Sequence, residues 1–81
     1  MELKDTVDLM LSKDYKDRFK AEYYQLENRY NGLSKMIVNW DNNELSFTPT
    51  CPRDTYDLQL RAIKDYLSIL EIRAKIEGIE L

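Results

Sequence analysis

Tyrosine and arginine are the side chains through which this sequence could meet a ligand. Its 81 residues hold six tyrosines, one tryptophan and no histidine. A tyrosine ring stacks on a flat partner, and an arginine fork grips phosphate or carboxylate. Tyr15, Tyr24 and Tyr66 fall off or beside the apolar stripes described below, which marks them as surface rings. With Arg18, Arg61 and Arg73 nearby, they form the kind of surface that stacks on a base, holds a phosphate or anchors a protein interface. Interface packing is the commoner use of such a surface. A second group surrounds a connecting segment, where Trp40, Asn42, Asn43, Phe47, Thr50 and Arg53 could converge into a polar-rimmed pocket. Loops set on rigid helices are where binding residues concentrate. The candidate ligand-binding residues are therefore Tyr15, Arg18, Tyr24, Asn43, Arg53, Arg61, Tyr66 and Arg73.

Catalytic patterns are absent. Without histidine the sequence lacks the commonest general base and the commonest metal ligand. Gly32 and Gly78 are its two glycines, too few and too far apart for a phosphate loop. The carboxylate pairs Glu22/Glu27 and Asp54/Asp57 read as solvated acids. Cys51, the lone cysteine, reads as a small buried residue at a helix entrance and excludes an internal disulfide. No catalytic residue, metal site or cofactor is expected, and the chain does not read as an enzyme.

Periodicity defines the elements that must position these side chains. Phe19, Tyr23, Leu26, Tyr30, Leu33, Ile37 and Trp40 are spaced 4-3-4-3-4-3. Tyr56, Leu60, Ile63, Leu67, Leu70 and Ala74 repeat the pattern at 4-3-4-3-4. Each tract places its apolar residues on one side of a helix, in the repeat that supports knobs-into-holes packing. The expected fold is all-α, an antiparallel hairpin of helices at about 14–40 and 52–77 in one domain, joined by a connection over 41–51. Pro52 suits the first turn of the second helix and Gly78 its stop. Leu3, Val7 and Leu11 predict a short N-terminal helix over 1–12. It either runs on into the first long helix with a rotating apolar face, or breaks at Ser12-Lys13-Asp14 and folds back. Ser12 as an N-cap favours the second arrangement.

The second long helix is apolar on more than one side. Leu58, Ala62, Tyr66, Ile69, Ile72 and Ile76 form a further row that a single partner helix cannot cover. The N-terminal segment and the Leu45/Phe47 stretch could cover it within one chain. A homo-oligomer that buries the row between copies is the alternative, and a small chain gains much from association. Charge points the same way as composition. Residues 1–40 are neutral, residues 41–81 carry the net −3, and the sequence pI is near 4.9. Duplex nucleic acid is a poor partner for such a chain. No apolar run is long enough to span a membrane, and no secretion signal opens the sequence.

The run from Gln59 to Ile79, with Gln59-Leu60, Ala62, Tyr66-Leu67, Leu70-Glu71, Ala74 and Glu77-Gly78-Ile79, resembles a family of short phage proteins. That family is named after an open reading frame of a crAss-like phage and is common in phages of Firmicutes. Asp14-Tyr15-Lys16-Asp17-Arg18-Phe19 and the Phe47-Thr48-Pro49-Thr50-Cys51-Pro52 connection are similar to its other end and its linker. The resemblance covers about residues 14 to 80. It implies a small phage accessory protein made in the host cytoplasm, and it brings no catalytic residues. By analogy with small helical phage proteins that act against host defence, two functions are expected. One is sequestration of a nucleotide-type immune messenger by a homo-oligomer. The other is direct inhibition of a host defence or regulatory protein through the exposed Tyr66/Ile69/Ile76 face.

Overall fold

A computed structural model describes residues 1–81. It is all-helical: a 3-10 turn at Leu3–Thr6, α1 at Val7–Met10, α2 at Tyr15–Asp41 and α3 at Arg53–Glu77. The two long helices pack side by side and run in opposite directions. Tyr15 at the start of α2 bonds Glu77 at the end of α3, and Asp41 at the far end of α2 bonds Arg53. Each boundary has a local cause. The Asp14 side chain accepts from the Lys16 backbone N–H at 2.9 Å and caps α2. Ser12 is not the cap; its hydroxyl accepts from the Asp14 backbone and donates to Asp17. Pro52 stands just before α3 rather than inside its first turn, with extended backbone at ψ 149°. Gly78 ends α3 at φ 71°, a left-handed conformation that a side chain would strain.

Both heptad rows face inward. Every residue of the Phe19-to-Trp40 row and of the Tyr56-to-Ala74 row is buried or half-buried. The packing is densest where α2 begins and α3 ends: Phe19, Tyr23, Leu70, Ala74 and Ile79 form one cluster, with Tyr24, Leu26 and Leu67 against it. The Gly78 turn makes this possible by swinging Ile79 back under the helix, where its N–H bonds the Ala74 carbonyl at 2.8 Å. Towards the connection the contact thins to Ile37, Ile63 and an edge-to-face pair of Trp40 and Tyr56, with ring centroids 6.0 Å apart.

The N-terminal segment breaks from α2 and folds back along it. It packs on α2 alone, so it covers none of the outer face of α3. Its anchors are Thr6, 1% exposed, whose hydroxyl accepts from the Gln25 amide, and the Met1 carbonyl, which accepts from the Asn28 amide. The Leu45/Phe47 stretch does not cover α3 either: Leu58, Ile69, Ile72 and Ile76 stay between 56% and 79% exposed. Cys51 is exposed, against the expectation of a buried residue, because it lies in the irregular connection ahead of Pro52 rather than within α3. A side chain at Gly32 would meet nothing within 4 Å, so this glycine marks no close approach. No helix is long and apolar enough to cross a membrane.

Candidate functional site

A polar row runs along α2 beside the segment that folds back on it. Arg18, Glu22, Gln25 and Arg29 are spaced 4-3-4, which sets them one above another on the helix. Together with Met10 of α1, Ala21 and Leu26 of α2 and Tyr66 of α3, they line a groove of about 270 Å³. Three elements thus meet there, and each holds a side chain in place. The Arg18 guanidinium donates to the Ser12 carbonyl at 2.8 Å. The Gln25 amide donates to the Thr6 hydroxyl at 3.0 Å and to the Met10 sulfur at 3.6 Å. The Tyr66 hydroxyl donates to Glu22.

The electrostatics follow from what is left unpaired. The ion pairs of the chain involve Lys4, Arg53 and Arg73; neither Arg18 nor Arg29 takes part in one. Two guanidinium groups therefore bracket the groove with donors to spare, and a tyrosine ring and aliphatic side chains form its walls. Arginine forks match the geometry of phosphate oxygens, and a tyrosine edge or face accepts a planar group. An anionic, partly aromatic ligand suits this arrangement. No three Cys, Asp or Glu side chains converge to hold a metal ion.

The other candidate residues lie apart from this groove. Tyr15 and Arg73 join Glu77 at the end of the hairpin: the Tyr15 hydroxyl donates to Glu77 and accepts from Arg73, each at 2.8 Å. The bond to Glu77 raises the Tyr15 pKa above the usual phenol value. In return the Tyr15 hydroxyl, with Arg73 beside it, holds the Glu77 carboxyl below the usual range. Arg73 also lies over the Phe19 ring, 5.1 Å from its centroid. These contacts tie the helices together and leave little for a ligand. Tyr24 is half-buried, edge-on to Tyr23 and packed against the core rather than standing free at the surface. Arg53 is clamped by Asp41 and Asp57. Asn43, at φ 59°, lines a hollow of about 260 Å³ with Trp40, Phe47 and Pro49, from which Arg53 is absent. Arg61 is exposed and lines none of these hollows.

Of the residues expected from sequence, the groove thus brings together Arg18 and Tyr66, and the end of the hairpin Tyr15 and Arg73. Sequence reasoning missed Glu22, Gln25 and Arg29, and the 4-3-4 row was the signal that could have found them. It was overlooked because polar side chains at that spacing ordinarily mark a solvated face. A larger hollow of about 480 Å³ lies on the other side of the hairpin, between Tyr23, Glu71, Ile72, Lys75 and the C-terminal residues. It is mostly apolar, and its acid is already bonded: Tyr23 donates to Glu71 at 2.8 Å. Burial, and then this bond, push the Tyr23 phenol far above its usual pKa. Lys75 alone offers that hollow a positive charge.

Residues 13–76 match the Sequestin family. The chain belongs to that family. The matched stretch holds both long helices and, with them, Arg18, Glu22, Gln25, Arg29 and Tyr66. The Sequestin match leaves out the N-terminal segment that supplies Thr6 and Met10. No curated protein and no solved structure matches the chain.

Proposed function

We propose that this protein is a non-enzymatic sequestering protein that holds a nucleotide-type messenger in the groove between Arg18 and Arg29. In this reading it is a phage accessory protein that works against host defence in the host cytoplasm, as a homo-oligomer. One observation carries the ligand class. Two arginines without ion-pair partners bracket a tyrosine-edged groove, inside the stretch that matches the Sequestin family. The family name is consistent with a sequestering role, and a chain without histidine is better suited to holding a ligand than to turning it over. Titration calorimetry of the full chain against cyclic and linear nucleotides tests the reading. Tight binding of at least one nucleotide is expected, weakened at least tenfold by Arg18→Ala and by Arg29→Ala. Absence of binding, or binding indifferent to both substitutions, overturns it.

A second reading rests on the exposed apolar row of α3. Leu58, Ile69, Ile72 and Ile76 lie open on one side of a single helix, as in surfaces that meet another protein. Direct inhibition of a host defence or regulatory protein through this row is the alternative to self-association. Light scattering separates the two. A multiple of the 9.7 kDa chain mass supports the oligomer, and a monomer that captures a host protein in stoichiometric amount supports the inhibitor.

A further inference from the structure

The bond between Thr6 and Gln25 decides which way the Gln25 carboxamide faces. A threonine hydroxyl has one proton to give. Thr6 gives it to the Leu3 carbonyl, at 2.7 Å, in a buried position. Its oxygen can then only accept, so Gln25 must turn its NH2 group towards it. The Met10 sulfur, a weak acceptor 3.6 Å from the same nitrogen, favours the same orientation. Both amide protons are thereby directed at the N-terminal segment, and the carboxamide oxygen is left over. That oxygen has no hydrogen-bond partner in the chain, and no buried side-chain nitrogen or oxygen lacks one, so it reaches solvent, and Gln25 is among the residues that line the groove.

The row along α2 therefore reads as donor at Arg18, acceptor at Glu22, acceptor at Gln25 and donor at Arg29. Phosphate groups satisfy the two ends. The middle requires a ligand group that donates, such as a ribose hydroxyl or an exocyclic base amine. Inorganic pyrophosphate is nearly all acceptor, keeping about one P–OH proton at neutral pH, so it cannot satisfy Glu22 and Gln25 together and would set its other oxygens against theirs. We infer that Thr6, acting through Gln25, sets a preference of this groove for nucleosidic phosphates over inorganic pyrophosphate. The inference rests on the nucleotide reading of the groove. Thr6 is a positioning residue here, and it lies in the segment outside the family match, so the preference belongs to this chain's own N-terminal extension.

The test uses the full chain with ADP, cyclic di-AMP and pyrophosphate as probes, and thermal unfolding as a check on folding. Thr6→Val keeps the shape of the side chain and removes the hydroxyl. It is expected to weaken binding of the nucleotide probes roughly tenfold, the loss of about one directed hydrogen bond, while pyrophosphate affinity stays within about twofold. Thr6→Ser restores the hydroxyl and is expected to restore the preference. Gln25→Met, which removes the carboxamide and leaves the Thr6 hydroxyl bonded to the Leu3 carbonyl, is expected to reproduce the loss and keeps the test open if Thr6→Val unfolds. A readout free of ligand accompanies these: the side-chain amide resonances of Gln25 should shift and exchange faster with solvent in Thr6→Val and recover in Thr6→Ser. An unchanged ratio of nucleotide to pyrophosphate affinity in both Thr6→Val and Gln25→Met overturns the inference while the nucleotide reading stands. If the wild-type chain binds none of the three probes, the nucleotide reading falls and the inference falls with it.

Discussion

The inner and outer faces of α3 are built from the same kinds of residue and have opposite fates. Leu60, Ile63, Leu67, Leu70 and Ala74 lie against α2, whereas Leu58, Ile69, Ile72 and Ile76 lie open. Composition does not distinguish the two rows; one helix partner covers one stripe, and the N-terminal segment chose the far side of α2. Fourteen large apolar side chains are exposed in the chain and eight apolar residues are buried, so a large share of its apolar surface stays open. The lesson is that a buried row and an exposed row on one helix serve different ends. The first holds the hairpin together, and the second stays open along the helix.

The sharpest way to test that contrast is to truncate one residue from each row. Leu70 is fully buried in the densest cluster, and Leu70→Ala is expected to destabilise the chain by about 3 kcal/mol, from lost transfer energy plus the cavity left behind. Ile72→Ala on the outer row is expected to change the stability of the single chain by under about 0.5 kcal/mol. Urea unfolding at protein concentrations low enough to keep chains apart measures both. A comparable loss at the two positions would show that the outer row is covered within the single chain. The same row can be charged: Ile72→Glu combined with Ile76→Glu is expected to reduce the solution mass to 9.7 kDa if copies associate there.

Much of this contrast could be read from the sequence, and the reasons it stopped where it did are physical. The 4-3 spacing of Phe19 to Trp40 and of Tyr56 to Ala74 specified both helices and the faces they turn to each other, since a heptad repeat has one geometric solution over so many residues. Pro52 and Gly78 marked the ends of α3 to within a residue. The groove was harder. Arg18 and Tyr66 were singled out by type and by their place off or beside the apolar stripes, but Arg29 and Gln25 look like any solvated positions until the N-terminal segment folds back beside them. That folding depends on Thr6, a polar residue whose burial rests on one local bond to Leu3 and one distant bond to Gln25. Nothing in the spacing of residues 1–12 reveals the distant partner. Tyr24 failed for the reverse reason: it lies just off the stripe, and the tight end of the hairpin is wide enough to take it in.

Gly78 extends the inner row beyond the helix, and its replacement offers a finer test. Gly78→Ala puts a Cβ on a left-handed residue in open space, so the expected cost is conformational, about 1 kcal/mol. No neighbouring atom has to move to accommodate the methyl group. If the loss measured by urea unfolding approached that of Leu70→Ala, the turn would be doing more than bringing Ile79 into the core, and the cluster would depend on it as a whole.

The smallest effect expected is a pH window set at the same end of the inner face by Tyr15, Arg73 and Glu77. Glu77 is held below its ordinary value of 4.5 by the Tyr15 hydroxyl and by Arg73, so its contribution is present above that value and fades as acid protonates it in the folded chain. Tyr15 is raised above its ordinary value of 10.0, chiefly by donating to Glu77, so its contribution is present below 10.0 and fades as base removes the phenol proton. Both signs place the network intact from about pH 5 to pH 9, with a loss on either side. Solvent reaches all three groups, which keeps the amplitude small and sensitive to salt. Tyr15→Phe is expected to remove the alkaline shoulder and to weaken the acid one, because Glu77 keeps Arg73 when it loses the hydroxyl. Melting temperature measured from about pH 3 to about pH 11, in low and high salt, checks the pair of slopes. An alkaline shoulder unchanged in Tyr15→Phe would assign it to another tyrosine, with Tyr23 the next to examine because its hydroxyl is bonded to Glu71 against the same core.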